Sequence, residues 1–130
     1  MYWGLGYDGS SLNHVQYITS ASGGTATDSG NFSYSGYNGA GTSNGTLGIW
    51  FSGIAGASPG VTIEYITLAS GGDTADWGDQ TYNSYVGGSL DHDVRGVHAG
   101  GYGASYANTN NIEFILYASA GNAEDFGDLT

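Results

Sequence analysis

Carboxylates recur at a fixed step along this chain. Asp28-Ser29-Gly30-Asn31, Asp76-Trp77-Gly78-Asp79 and Asp125-Phe126-Gly127-Asp128 follow one another at offsets of 48 and 49 residues. Asp76 with Asp79, and Asp125 with Asp128, offer hard oxygen donors of the kind calcium takes. Calcium wants about six to eight oxygens, so a loop with two carboxylates is an incomplete set. The plainer reading is that each Asp caps backbone N–H groups of a turn, while Trp77 and Phe126 wedge between neighbouring layers. Asp125-Phe126-Gly127 also spells the magnesium-binding triplet of phosphoryl transfer. The chain has no lysine to hold the phosphates, and Asp76-Trp77-Gly78 repeats the pattern, so that reading is rejected.

Other groups with chemical potential are similarly bounded. Asp91-His92-Asp93 with His98 supplies oxygens and imidazole, but the segment aligns with a turn tip in the preceding repeat. No Gly-x-Ser-x-Gly elbow opens a helix, which leaves a Ser-His-Asp hydrolase without support. Glu64 and Glu113 occupy one repeat position. Catalytic carboxylates need divergent environments and repetition makes environments alike, so the pair reads as a repeated polar contact. No catalytic residue, cofactor or committed metal site is expected. Eleven tyrosines and three tryptophans among many Asn, Ser and Gly suit an adaptable recognition surface. Tyr7, Trp50, Tyr85, Tyr102 and Tyr106 lie in or near glycine-rich loops, where they could stack on sugar rings.

Behind these residues stands a threefold internal repeat. His14 to Gly24, Thr62 to Gly72 and Asn111 to Gly121 carry the same pattern, centred on Gln16-Tyr17-Ile18, Glu64-Tyr65-Ile66 and Glu113-Phe114-Ile115. A period near 50 marks an array whose units bury apolar faces against neighbours. Repeat one is read as residues 1–48, repeat two as 49–96, and a partial repeat three as 97–130, together forming a single repeat domain. Ile63, Tyr65 and Thr67 alternate with Thr62, Glu64, Ile66 and Leu68, and both parities are largely apolar. That predicts strands packed on both faces. The segments 34–42 and 82–90 are poor in side chains, as strands are where backbones crowd. Ser43-Asn44-Gly45-Thr46 predicts a type I′ hairpin. No apolar period of 3.6 residues appears, so almost no helix is expected.

Composition limits the partners. One Arg, Arg95, stands against twelve Asp and Glu, for a formal charge of −11. Such a surface repels nucleic acid and anionic membranes. No window spans a bilayer as an apolar helix, and Met1 to Gly6 lacks the features of a secretory signal. With no cysteine there is neither a disulfide nor a thiolate zinc site.

The order of an apolar strand ending near glycine, an Ile-Glu-Tyr strand, a glycine turn, a short Asp-x-Gly-Asp strand and a small-residue strand resembles a kelch-type β-propeller repeat. Gly100-Gly101-Tyr102, Asn111-Ile112-Glu113-Phe114-Ile115 and 121–130 carry it, with Ile63-Glu64-Tyr65-Ile66-Thr67 and Asp76-Trp77-Gly78-Asp79. Among such repeats the chain is most similar to glycine-rich, kelch-like ones of bacteriophage tail-fibre and other virion-associated proteins. Repeat one departs from the pattern at Gln16 and Ser29. The resemblance implies an all-β propeller or partial propeller of four-stranded antiparallel blades. It also implies a place on the virion surface, with other virion subunits and host-surface glycans as partners. Three repeats fall short of the four to eight blades of familiar closed propellers. A homo-oligomer is therefore expected.

Overall fold

The structure, a computed structural model, describes residues 1–55 and 58–130. It is all-β, and among the described residues there is no helix, hence none long and apolar enough to cross a membrane. Among the described residues thirteen strands form three antiparallel sheets. Sheet one joins β1 (Tyr2–Tyr7), β2 (Ser11–Tyr17) and β3 (Thr27–Tyr37), then β6 (Ile54–Ala55) and β7 (Ser58–Pro59). Sheet two is β4 (Ala40–Ser43), β5 (Leu47–Phe51), β8 (Thr62–Thr67) and β9 (Ala75–Asp79), paired in that order. Sheet three repeats it as β10 (Gly88–His92), β11 (Arg95–Ala99), β12 (Asn111–Leu116) and β13 (Glu124–Asp128).

The double-faced apolar pattern of the Ile-Glu-Tyr strand has a direct structural meaning. Register pairs Ile49 with Tyr65, Trp50 with Glu64 and Phe51 with Ile63, so one parity of sheet two faces sheet three and the other faces sheet one. Ile49, Phe51, Ile63 and Trp77 pack with Ile115, Tyr117 and Ala123 of sheet three. Trp50 and Ile66 pack with Val15 and Phe32 of sheet one. Sheet two is thus buried on both sides, and its large apolar residues are the centre of the molecule. Among the described residues nothing covers the outer face of sheet one or the outer face of sheet three.

Local details depart from expectation for identifiable reasons. Asn44-Gly45 does connect β4 to β5, but only Gly45 has positive φ, at 84°, so the turn is not type I′. Asn44 instead uses Oδ1 to accept from the N–H groups of Thr46 and Leu47, at 3.0 and 2.9 Å. Residues 34–42 do not form one strand. β3 runs on to Tyr37, because Gly36 and Tyr37 pair with Ala55 and Ile54, and the chain then turns at Asn38 before β4. This added hairpin of two-residue strands makes sheet one five-stranded. Trp77 is wedged between sheets at 5% exposure, whereas Phe126 at the equivalent position is 54% exposed.

The contrast between the two aromatics is measurable. Trp77→Ala should cost roughly 3–5 kcal/mol, as expected for removing a large buried aromatic, while Phe126→Ala should cost under about 1 kcal/mol in the isolated chain. Urea unfolding of both variants checks this, and equal losses would refute the assignment of Trp77 as the sole buried wedge.

Candidate functional site

The two junctions between sheets use one chemical device twice. At the first, the Ser33 N–H donates to Glu64 Oε2 at 3.3 Å, and the Ser33 and Thr74 hydroxyls also donate to that carboxylate. At the second, Thr81 donates to Glu113 Oε2 through its N–H at 2.7 Å and its hydroxyl at 2.8 Å. Both carboxylates are buried, at 1% and 0% exposure. A buried carboxylate is tolerated only when its lone pairs are filled, and a backbone N–H plus a hydroxyl from the preceding sheet fills them. Glu113 Oε1 also lies 3.2 Å from His98 Nδ1. The His98 ring stacks on Phe51 at 5.0 Å and on Tyr82 at 6.0 Å.

A second contact recurs one turn away. The Asn31 N–H donates to Asp73 Oδ1 at 2.9 Å and its carbonyl accepts from the Thr74 N–H at 2.9 Å. Likewise the Asp79 N–H donates to Asn122 Oδ1 at 3.0 Å and its carbonyl accepts from the Ala123 N–H at 2.8 Å. Backbones must come very close for this. A Cβ on Gly30 would stand 2.3 Å from the Gly72 carbonyl carbon, and one on Gly78 would stand 2.4 Å from that of Gly121. The Asp-x-Gly-Asp motif is therefore a docking strand, whose glycine admits the next sheet.

This use of the motif bears on the carboxylates singled out from sequence. Asp79 works through its backbone, and Asp125 Oδ1 accepts from the Gly127 N–H at 3.2 Å. Asp28 pairs with Gln16 across β2 and β3, and Asp76 with Glu64 across β8 and β9. Among the described residues no three His, Asp or Glu side chains are gathered as a metal would need. His98 pairs with Ser89 and points to Glu113, apart from the Asp91-His92-Asp93 hairpin end.

The aromatic residues divide into two groups. Tyr85, Tyr102 and Tyr106 come together: the Tyr85 ring stacks on Tyr102 at 5.7 Å and meets Tyr106 edge-on at 6.3 Å. Tyr7 lies 5.1 Å from Tyr37, and Tyr37, Tyr102 and Tyr106 are all near enough to Tyr85 to act on its hydroxyl. Desolvation and those neighbours raise its pKa. Among the described residues, four other than glycine have positive φ: Leu5, Asn38, Val86 and Tyr106, and the Val86 N–H donates to the Asn38 carbonyl beside Tyr37 and Tyr85. For β-branched Val86 a positive φ is a sterically costly conformation. Trp50 does not belong to the group. It is 8% exposed and packs edge-on against Phe32 at 5.3 Å.

A third feature is a free edge. In sheets two and three, β4 and β10 pair with β5 and β11, whereas the corresponding edge of β1 has no partner among the described residues. An open groove of about 800 Å³ lies there, lined by Tyr2 and Trp3 of sheet one and by Thr42, Ser43 and Trp50 of sheet two. No protein-family model matches the chain, and no curated protein matches it significantly.

Alkali tests the junctions. Burial, helped by the Glu64 carboxylate and opposed by the Ser52 hydroxyl, pushes the Tyr34 pKa up to about 12. Burial and the Glu113 carboxylate push Tyr82 up to about 12, against the Ser84 and Thr109 hydroxyls. An unfolded tyrosine ionises near pH 10, so between about pH 10 and 12 the unfolded chain has lost protons that the folded one keeps. Stability should hold below pH 10 and fall as pH rises through that window, and Tyr34→Phe should flatten the fall. Thermal melting from pH 8 to 12 reads it, and parallel curves for both proteins would exclude Tyr34 as a source.

Proposed function

We propose that the chain is a non-enzymatic structural or decoration component of a bacteriophage virion, built as a kelch-like partial propeller that self-assembles by completing its open faces. The observation that carries this reading is the unequal fate of repeat-equivalent residues. Trp77 is buried by sheet three, while Phe126 and Leu129 on the outer face of sheet three are 54% and 47% exposed. Trp3 on the outer face of sheet one is 51% exposed, while its register equivalents beside Glu64 and Glu113, Trp50 and His98, are buried. A face designed to be covered within the chain is presented bare at both extremes of the stack. Large exposed apolar residues grouped this way mark interaction surfaces. The free edge of β1 adds an unpaired backbone ladder to the same complementation. The particle itself is supported by the resemblance of the glycine-rich repeats to virion-associated ones.

A second reading, a lectin-like module of a tail fibre, is favoured by exposed Tyr102 and Tyr106 packed around half-buried Tyr85, and by the strained backbone around them. Aromatic faces beside polar loops suit stacking on sugar rings. Tyr7 extends the same end of the molecule. These readings separate cleanly, because assembly uses the sheet faces and glycan capture uses the loop end.

Light scattering over a concentration series should give a mass above that of the monomer, rising with concentration. Each chain carries a charge of −11, so screening should strengthen the association and its apparent affinity should rise with salt. A monomer at every concentration and salt level would refute the assembly reading. Binding to a glycan array, lost in Tyr102→Ser, would then favour the second.

A further inference from the structure

The internal junctions specify how a second copy would dock. We infer that two chains associate head to tail, with the outer face of sheet three of one copy seated on the outer face of sheet one of the next, in the register of the two junctions already inside the chain. The inference rests on the self-assembly reading and gives it a partner and an orientation.

Each contact of an internal junction has its counterpart on the bare faces. The donor side of the junctions is Gly30, Asn31, Phe32 and Ser33 in repeat one, and Gly78, Asp79, Gln80 and Thr81 in repeat two. At the same spacing, repeat three presents Gly127, Asp128, Leu129 and Thr130, with Asp128, Leu129 and Thr130 all exposed. The acceptor side is Glu64, Gly72, Asp73 and Thr74, then Glu113, Gly121, Asn122 and Ala123. Repeat one presents Gln16, Gly24, Thr25 and Ala26, and these are exposed too.

The chemistry matches position by position. Gln16 Oε1 can accept the Thr130 N–H and hydroxyl as Glu113 accepts those of Thr81. The Thr25 hydroxyl can accept the Asp128 N–H where Asp73 and Asn122 use a side-chain oxygen, and the Ala26 N–H faces the Asp128 carbonyl. Gly127 meets Gly24, so both backbones can approach as Gly78 and Gly121 do. Leu129 falls against Trp3, as Phe32 falls against Trp50. Phe126 takes the place of Trp77. Each is already braced edge-on by the aromatic at one repeat position, Phe114 at 5.5 Å and Tyr65 at 5.1 Å.

Two features suit an intermolecular rather than an internal contact. Gln16 replaces the charged Glu64 and Glu113, so the acceptor that must be desolvated on docking is neutral and costs less to bury. Arg95, the chain's single Arg or Lys, lies over the Phe114 and Phe126 rings at 4.6 and 5.7 Å. It therefore sits on the docking face, opposite a partner of charge −11. The contact is heterologous, since the two faces differ, and repeated docking gives a closed ring or an open stack according to the rotation per junction.

The chain lacks cysteine, which allows a direct test. Asp128→Cys and Thr25→Cys are prepared separately, mixed in equal amounts and exposed to a short bis-maleimide, with Ser105→Cys, exposed in the loop between β11 and β12 and outside the proposed contact, replacing Thr25→Cys as control. The inference predicts efficient Asp128–Thr25 cross-linked dimers and at least a tenfold lower yield with the control. Phe126→Asp and Leu129→Asp, both at exposed positions, should weaken association at least tenfold without loss of the β-sheet circular dichroism. Association that persists without selective cross-linking and survives both aspartates overturns the head-to-tail register while leaving self-assembly intact. Absence of any association overturns both.

Discussion

Everything in this molecule depends on a carboxylate that one sheet buries and the sheet before it satisfies. Glu64 and Glu113 have almost no solvent contact, and an unpartnered buried carboxylate would be far too costly to keep. Ser33 and Thr81 remove that cost by offering a backbone N–H and a hydroxyl together. Because Ser33 lies on sheet one and Thr81 just beyond β9 of sheet two, while each acceptor lies on the next sheet, the contact ties neighbouring sheets together in distance and register. The apolar side chains then fill a space whose dimensions the polar contact has set. Breaking one partner of such a pair costs more than the bond itself, since the other is left buried and unfilled.

The glycines serve the same constraint. Sheets that exchange bonds between Asn31 and Asp73, or between Asp79 and Asn122, must bring backbones nearer than side chains normally permit. Gly30 against Gly72 and Gly78 against Gly121 make that possible, and with them the wedge of Trp77 becomes fully enclosed. A repeating stack built this way has no natural end within itself. Its outermost sheets display the unused half of each contact, and that is the physical basis on which association with a second copy is proposed.

The sequence made much of this legible. The recurring Ile-Glu-Tyr strand, with both parities apolar, identifies an all-β chain with a strand buried on two sides, and the shared repeat position of Glu64 and Glu113 marks one repeated polar contact. Their partners were missed, because Ser33 and Thr81 carry no pattern of their own until the sheets are placed side by side. Phe126 is the repeat equivalent of Trp77, yet burial depends on whether another sheet packs over the residue, as sheet three does over Trp77. Its glycine neighbours place Trp50 among the loop aromatics, but it lies within β5, where alternation turns it toward Phe32. The gathering of Tyr85 with Tyr102 and Tyr106 came out of loop geometry, and the β6–β7 hairpin was invisible because two-residue strands have no period.

The carboxylate contact couples adjacent sheets. A double-mutant cycle between Thr81→Val and Glu113→Gln, read by urea unfolding, measures that coupling most directly. The expected coupling free energy is at least about 1 kcal/mol, in the range for a hydrogen bond to a buried charged group. Effects of the two substitutions that simply add, within about 0.3 kcal/mol, would contradict it.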